Sequence, residues 1–185
     1  ADDDSRTDLK VGDLSMLLRL HLGSHLRFNV LQKRIELDGV VVPPANVELL
    51  HVDLSECGYQ VRKEIAVDAI RRVALDHQYN PVQEYLETIE HDDNVVPIDL
   101  DRVASEYLGT SDNLYDSMLA ATLVGAVART FEPGCKYDTC LVFKGGQGIG
   151  KSTIVKILAS PEWLNDTTQP KEKETLQAIH SCWIM

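Results

Sequence analysis

Six residues, Gly145-Gly146-Gln147-Gly148-Ile149-Gly150, run directly into Lys151 and Ser152. The spacing is G-x-x-x-x-G-K-[ST], the pattern of a loop that cradles phosphate. Glycines let the backbone reach positive φ and turn its amides inward. Those amides, with the N-terminus of a following helix, suit a β-phosphate and its neighbours. Lys151 would reach the β- and γ-phosphates as a point charge and is the candidate catalytic residue. The Ser152 hydroxyl is the candidate ligand of Mg²⁺. The expected nucleotide-binding set is Gly145, Gly146, Gln147, Gly148, Ile149, Gly150, Lys151, Ser152 and Thr153. Within it, Gln147 fills a permissive position and Thr153 reads as a first-turn residue. The expected cofactors are ATP and Mg²⁺.

A phosphate loop needs a strand before it and a helix after it. Residues 139–143, TCLVF, are β-branched and apolar, as in a buried central strand. The following TIVKILA places Ile154, Ile157 and Leu158 on one helix face. Hydrolysis would also need an acid to close the Mg²⁺ site and order a water. The acids after Ser152 are Glu162, Asp166, Glu172 and Glu174, and none follows an apolar strand. Glu172 and Glu174 lie in an expected charged helix, KEKETLQAIHS. Cys182-Trp183-Ile184-Met185 reads as the start of a strand, and the chain ends before any acid beyond it.

Other polar groups near the motif have two readings each. Arg129, Lys136 and Lys144 could face phosphate or be ordinary surface charges. Phe131 and Tyr137 could stack on a base, and hydrophobic packing is preferred for both. Trp163 and Trp183 read as packing anchors. The six histidines share no short spacing, and the four cysteines, at 57, 135, 140 and 182, are a poor zinc set and read as ordinary reduced thiols. Past Ser152 the basic residues are Lys156, Lys171 and Lys173 apart from His180, with no arginine. That disfavours a small-molecule kinase, whose lid usually clamps phosphates with basic residues.

The elements that must carry the loop are mostly helical. Helices are expected over 13–22, with Asp13 as its cap, over 46–57, and over 63–77. The last carries Ile65, Ala66, Ala69, Ile70, Val73 and Ala74 on one side. Two short strands, 26–30 and 34–39, end on an Asp38-Gly39 turn. Pro43-Pro44 is read as a break. Asn80-Pro81 opens another helix, HDDNVVPIDL (91–100) is an acidic loop, and 100–108 is a short helix. The longest helix follows Ser111-Asp112 and stops at Pro133-Gly134. Its wide apolar arc leads to the expectation that it is buried on most sides. The expected division is 1–98, mainly helical with a small hairpin, and 99–185, the N-terminal part of an NTPase domain.

The formal charge is −11, and it is uneven. Residues 1–110 hold 21 acids against 11 bases, and residues 111–185 hold eight against seven. Such a field opposes diffuse binding to a nucleic-acid backbone. With no secretory leader and no long apolar stretch, the expectation is a cytoplasmic protein with no membrane span.

The stretch VARTFEPGCKYDTCLVFKGGQGIGKSTIVKILASPEW (127–163) resembles the signature of the virulence-associated E (VapE-like) family. The block FEPGCKYD (131–138) precedes the loop as it does there. NPVQEYLETI (80–89), the Tyr107-Leu108-Gly109 triplet and, more weakly, RIELDG (34–39) also resemble it. Where relatives often carry an aromatic-Asp-Gly triplet, this chain has His91-Asp92-Asp93-Asn94. The resemblance implies fold class α/β: an incomplete, superfamily 3 helicase-like P-loop NTPase core preceded by a mainly helical region. It implies an ATP-binding and hydrolysing, helicase-like protein of phage or plasmid DNA replication. DNA would be a partner of the full-length protein, and a homo-oligomer is a further expectation. For these 185 residues, nucleotide binding without hydrolysis is expected. The alternative is a non-catalytic nucleotide-binding or interaction module from a truncated or degenerate gene.

Overall fold

The computed structural model describes residues 7–164 and Trp183. The chain is mixed α/β, with two small sheets and several helices, and it divides into two units between Asn80 and Pro81. The acidic loop 91–98 therefore lies inside the second unit. The expected helix at 171–181 and the strand at 182–185 fall outside the described residues, Trp183 excepted.

In the first unit, β1 (Thr7–Asp8) pairs in parallel with β5 (Tyr59–Gln60). A second sheet has the order β4-β3-β2-β6, formed by Val40–Val41, Arg34–Leu37, Leu26–Asn29 and Gln78–Tyr79. Strands β2 and β3 are antiparallel, with Leu26 opposite Leu37 and Phe28 opposite Ile35. Asp38 and Gly39 both take positive φ, 51° and 77°, and close the next hairpin. Two left-handed residues match the twist of the strands they join. The front unit thus holds more sheet than the sequence led one to expect. The extra strands have two residues each, too few to show an alternating pattern.

Three helices complete the unit: α1 (Val11–His21), α2 (Pro44–Glu56) and α3 (Lys63–Asp76). Helix α3 packs against α1, α2 and β2. Its inward face is Ala66, Ala69, Ile70, Val73 and Ala74, all buried with Leu14, Leu18, Leu26, Ile35, Val47 and Leu54. The three alanines let neighbouring backbones approach closely. Two local expectations change. Asp13 sits in the first turn of α1, while Lys10 is the cap residue and makes no side-chain capping bond. Pro43-Pro44 starts a helix instead of breaking the chain, since proline needs no N–H at a first turn.

Within β3, Glu36 is 3% exposed yet fully partnered. Its carboxylate accepts bonds from the Tyr79 hydroxyl, from Asn29 Nδ2 at 3.1 Å and from Arg34 Nε at 2.6 Å. Burial pushes the Glu36 carboxyl up, but the bonds from Tyr79, Arg34 and Asn29 outweigh it. The net effect holds the group below the ordinary 4.5. A lowered folded-state pKa contributes stability above the unfolded value, and that contribution is lost as pH falls through the folded value. The urea midpoint of the wild-type chain should therefore drop as pH falls below about 4.5. In Glu36→Gln the drop should be shallower. Identical acid limbs would show that the network carries no pH dependence.

The second unit has α4 (Pro81–Glu90), a 3₁₀ turn at Leu100–Arg102, α5 (Val103–Leu108), α6 (Asn113–Phe131) and α7 (Lys151–Ala159). Helix α6 packs against α4, α5 and the 3₁₀ turn. Asp112 caps it, its Oδ1 accepting from Leu114 N at 2.9 Å. Residues 139–143 do not form a strand. Among the described residues, the multi-residue elements of this unit are all helical, with an isolated bridge at Leu164, and a β-ladder needs a partner to hydrogen-bond. Nor is α6 buried on most sides: Leu114, Tyr115, Met118 and Val124 are exposed. Its apolar arc is wider than the short neighbours that cover it. No described helix is long and apolar enough to cross a membrane.

Candidate functional site

The loop is held from below by a small core. Val103, Ala104 and Leu119 are buried between α5 and α6, and Leu141 and Phe143 pack against them. Val142 between them is 77% exposed. The segment 141–143 thus shows the alternation of a strand with one face covered, though it has no ladder. Its anchoring fixes where Gly145 begins.

The Tyr137 ring lies across Gly125 of α6, where a Cβ would collide with it, and its hydroxyl donates to Thr122 Oγ1 at 3.3 Å. Packing, not base stacking, is therefore the observed state of Tyr137. Lys136 pairs with Asp138 at 3.0 Å, and both are exposed. Arg129 sits in the last turn of α6, where a cation meets the negative end of the helix.

Through the loop, Gly148 takes φ +82° and Gly150 takes φ +92°. Gly150 is the residue that turns the chain into α7. A side chain there would be strained in the left-handed region. Ile154 N donates to Gly150 O at 3.0 Å, the first bond of the helix. The amides of Lys151, Ser152 and Thr153 precede that bond and have no intrahelical acceptor. Lys151 Nζ reaches back over the loop, donating to the carbonyls of Gly145 at 3.0 Å and Gly146 at 2.6 Å. The end of the exposed Ile149 side chain lies over Gly145, where a Cβ would push it aside. Gly145, Gly146, Gln147, Gly148, Ile149 and Gly150 are all exposed, as are Ser152 and Thr153 in the first helical turn. The arrangement offers first-turn amides with no intrahelical acceptor, the Lys151 ammonium and the exposed hydroxyls of Ser152 and Thr153 at a helix N-terminus. Chemically it suits an anion with several oxygens.

The acids are less complete. Glu162 is exposed in the turn after α7, and Asp166, Glu172 and Glu174 lie outside the described residues. Among the described residues, no three His, Cys, Asp or Glu gather as a metal site.

Both tryptophans anchor the end of the unit. Trp163 packs against Tyr85 with ring centroids 5.3 Å apart, and against Trp183 at 6.1 Å. Trp183 Nε1 donates to Ala126 O on α6 at 3.1 Å. Sequence reading missed one central residue, Asp116. It is 2% exposed, and its Oδ1 accepts from both Ala104 N and Ser105 N at 2.7 Å. Its position in the first turn of a helix gave no sign of that bond to another helix.

Fold and site define a mixed α/β protein whose second unit presents a glycine-rich loop on a helix N-terminus. The sequence profile described as Virulence-associated protein E-like domain matches residues 86–185, over half of the chain. The chain belongs to the virulence-associated protein E-like family. No curated protein matches it.

Proposed function

We propose that residues 145–153 bind the triphosphate of ATP with Mg²⁺, in the nucleotide-binding part of a helicase-like NTPase. The observation that carries this is the junction at Gly150. A left-handed glycine opens a helix, and the first helical residue, Lys151, holds its ammonium across the mouth of the loop. The residues present fit the ligand. Amides of the first turn would hold phosphate oxygens, and Lys151 would exchange two carbonyl acceptors for charged ones. Ser152 would supply a hydroxyl to Mg²⁺. When bound, the ion would neutralise charge on the β- and γ-phosphates.

Family membership supports the wider reading: a P-loop NTPase fold of the superfamily 3 helicase type, acting in the cytoplasm on phage or plasmid DNA, in a homo-oligomer. Hydrolysis needs a carboxylate to order water as well. The reading that these residues bind without turnover rests on the sequence, in which none of the acids after Ser152 follows an apolar strand. Calorimetric titration of the chain with ATP·Mg²⁺, alongside a phosphate-release assay, tests both. Saturable binding with no release is the expected pair of results. Absence of saturable binding at millimolar ATP would sink the phosphate-site reading.

A further inference from the structure

The loop opens on its helix side into a cavity of 530 Å³. Its lining includes Ile149, Gly150 and Thr153, Tyr107 and Leu108 of α5, and Leu123 of α6. The loop and this cavity therefore share three residues. A second apolar cavity, of 710 Å³ beside Trp183, is lined by no residue of the glycine loop. A volume of hundreds of cubic ångströms suits a small organic group, and the walls here are almost wholly apolar.

A nucleotide bound by its phosphates carries its base a few bonds away on a ribose. A base is flat, has apolar faces and gains most where water leaves both sides. From the shared wall, we infer that this cavity seats the base of the nucleotide, with Tyr107 as the aromatic side chain that stacks on it. The inference rests on the phosphate reading of residues 145–153 and deepens it. Tyr107 is 59% exposed, so part of its side chain is accessible to a ligand. Tyr107 and Thr153 are the lining side chains that carry hydrogen-bonding groups. Strong discrimination between bases needs buried polar groups that the wrong base leaves unpaired. This cavity has few, so it takes purines by area and selects weakly among them.

The test is titration of the full chain with ATP, GTP and CTP, each with Mg²⁺, and with inorganic tripolyphosphate. ATP and GTP should bind within about tenfold of each other. CTP should bind more weakly, and tripolyphosphate at least roughly tenfold more weakly than ATP. In Tyr107→Ala, ATP affinity should fall roughly fivefold, the stacking of one ring, while tripolyphosphate affinity stays unchanged. Tripolyphosphate binding as tightly as ATP overturns the base seat and leaves the phosphate site standing. Equal losses for both ligands in Tyr107→Ala also overturn it. If wild type binds neither ligand, the phosphate reading fails and the base seat with it. A second readout needs no variant. Photolabelling of wild type with 8-azido-ATP should mark peptides covering 98–123, and labelling confined elsewhere overturns the assignment.

Discussion

Lys151→Ala is expected to weaken ATP·Mg²⁺ binding by about 3 kcal/mol, roughly a hundredfold in Kd, without unfolding the chain. The size follows from what the ammonium would do. Bonds between charged groups contribute about 1.5–3 kcal/mol each, and Lys151 would lie between two phosphates. The retained fold follows from what it does now. Among the described residues, its Nζ donates to two carbonyls of an exposed loop, those of Gly145 and Gly146. Water replaces it there, so the unfolding free energy should move by less than about 0.5 kcal/mol. Lys151→Arg separates charge from shape. The guanidinium keeps the charge but is a planar fork, not a compact point, and binding should fall by an intermediate amount. Tripolyphosphate should lose affinity in Lys151→Ala as ATP does, because this lysine would act on phosphate alone. Unchanged ATP affinity in Lys151→Ala, with the fold verified, would remove the loop from the nucleotide site.

How much of this was readable in advance depends on how local each feature is. The loop was legible because glycine geometry, lysine charge and a following helix are all encoded within nine residues. Helix α3 was legible because its buried side recurs at regular steps from Ile65 to Ala74. The turn at Asp38-Gly39 was legible because few dipeptides tolerate two positive φ values. Strands β1, β4, β5 and β6 were not, since two residues cannot display alternation and form only by pairing with another strand. The run 139–143 misled for the complementary reason. Its composition is that of a central strand, and Leu141 and Phe143 do turn inward, but composition cannot supply a pairing partner. The wide apolar arc of α6 encoded a tendency to be covered without saying by what. The cavity at Tyr107 had no sequence signal, because α5, α6 and α7 each contribute only part of its wall.

Asp116 is the clearest case of a residue whose role only the fold reveals, and it carries the largest expected effect on stability. Helix α5 has six residues, too short to persist by itself. Its own cap position is Arg102, which makes no side-chain capping bond. Asp116 does that job from another helix. Its Oδ1 takes the amides of Ala104 and Ser105, the second and third residues of α5, where a local cap would normally bind. A carboxylate there also meets the positive end of the helix. Asp116→Ala would leave two amides without an acceptor in a place that water reaches poorly. A cost of about 3 kcal/mol follows from two such groups. Asp116→Asn retains an oxygen acceptor and loses the charge, so about 1 kcal/mol is expected. Both tryptophans of the chain lie in this unit, so urea unfolding followed by tryptophan fluorescence reports on it directly. Because α5 carries Tyr107 and Leu108, Asp116→Ala should also cost ATP more affinity than tripolyphosphate. An Asp116→Ala protein within about 0.5 kcal/mol of wild type would show that α5 does not depend on this cap.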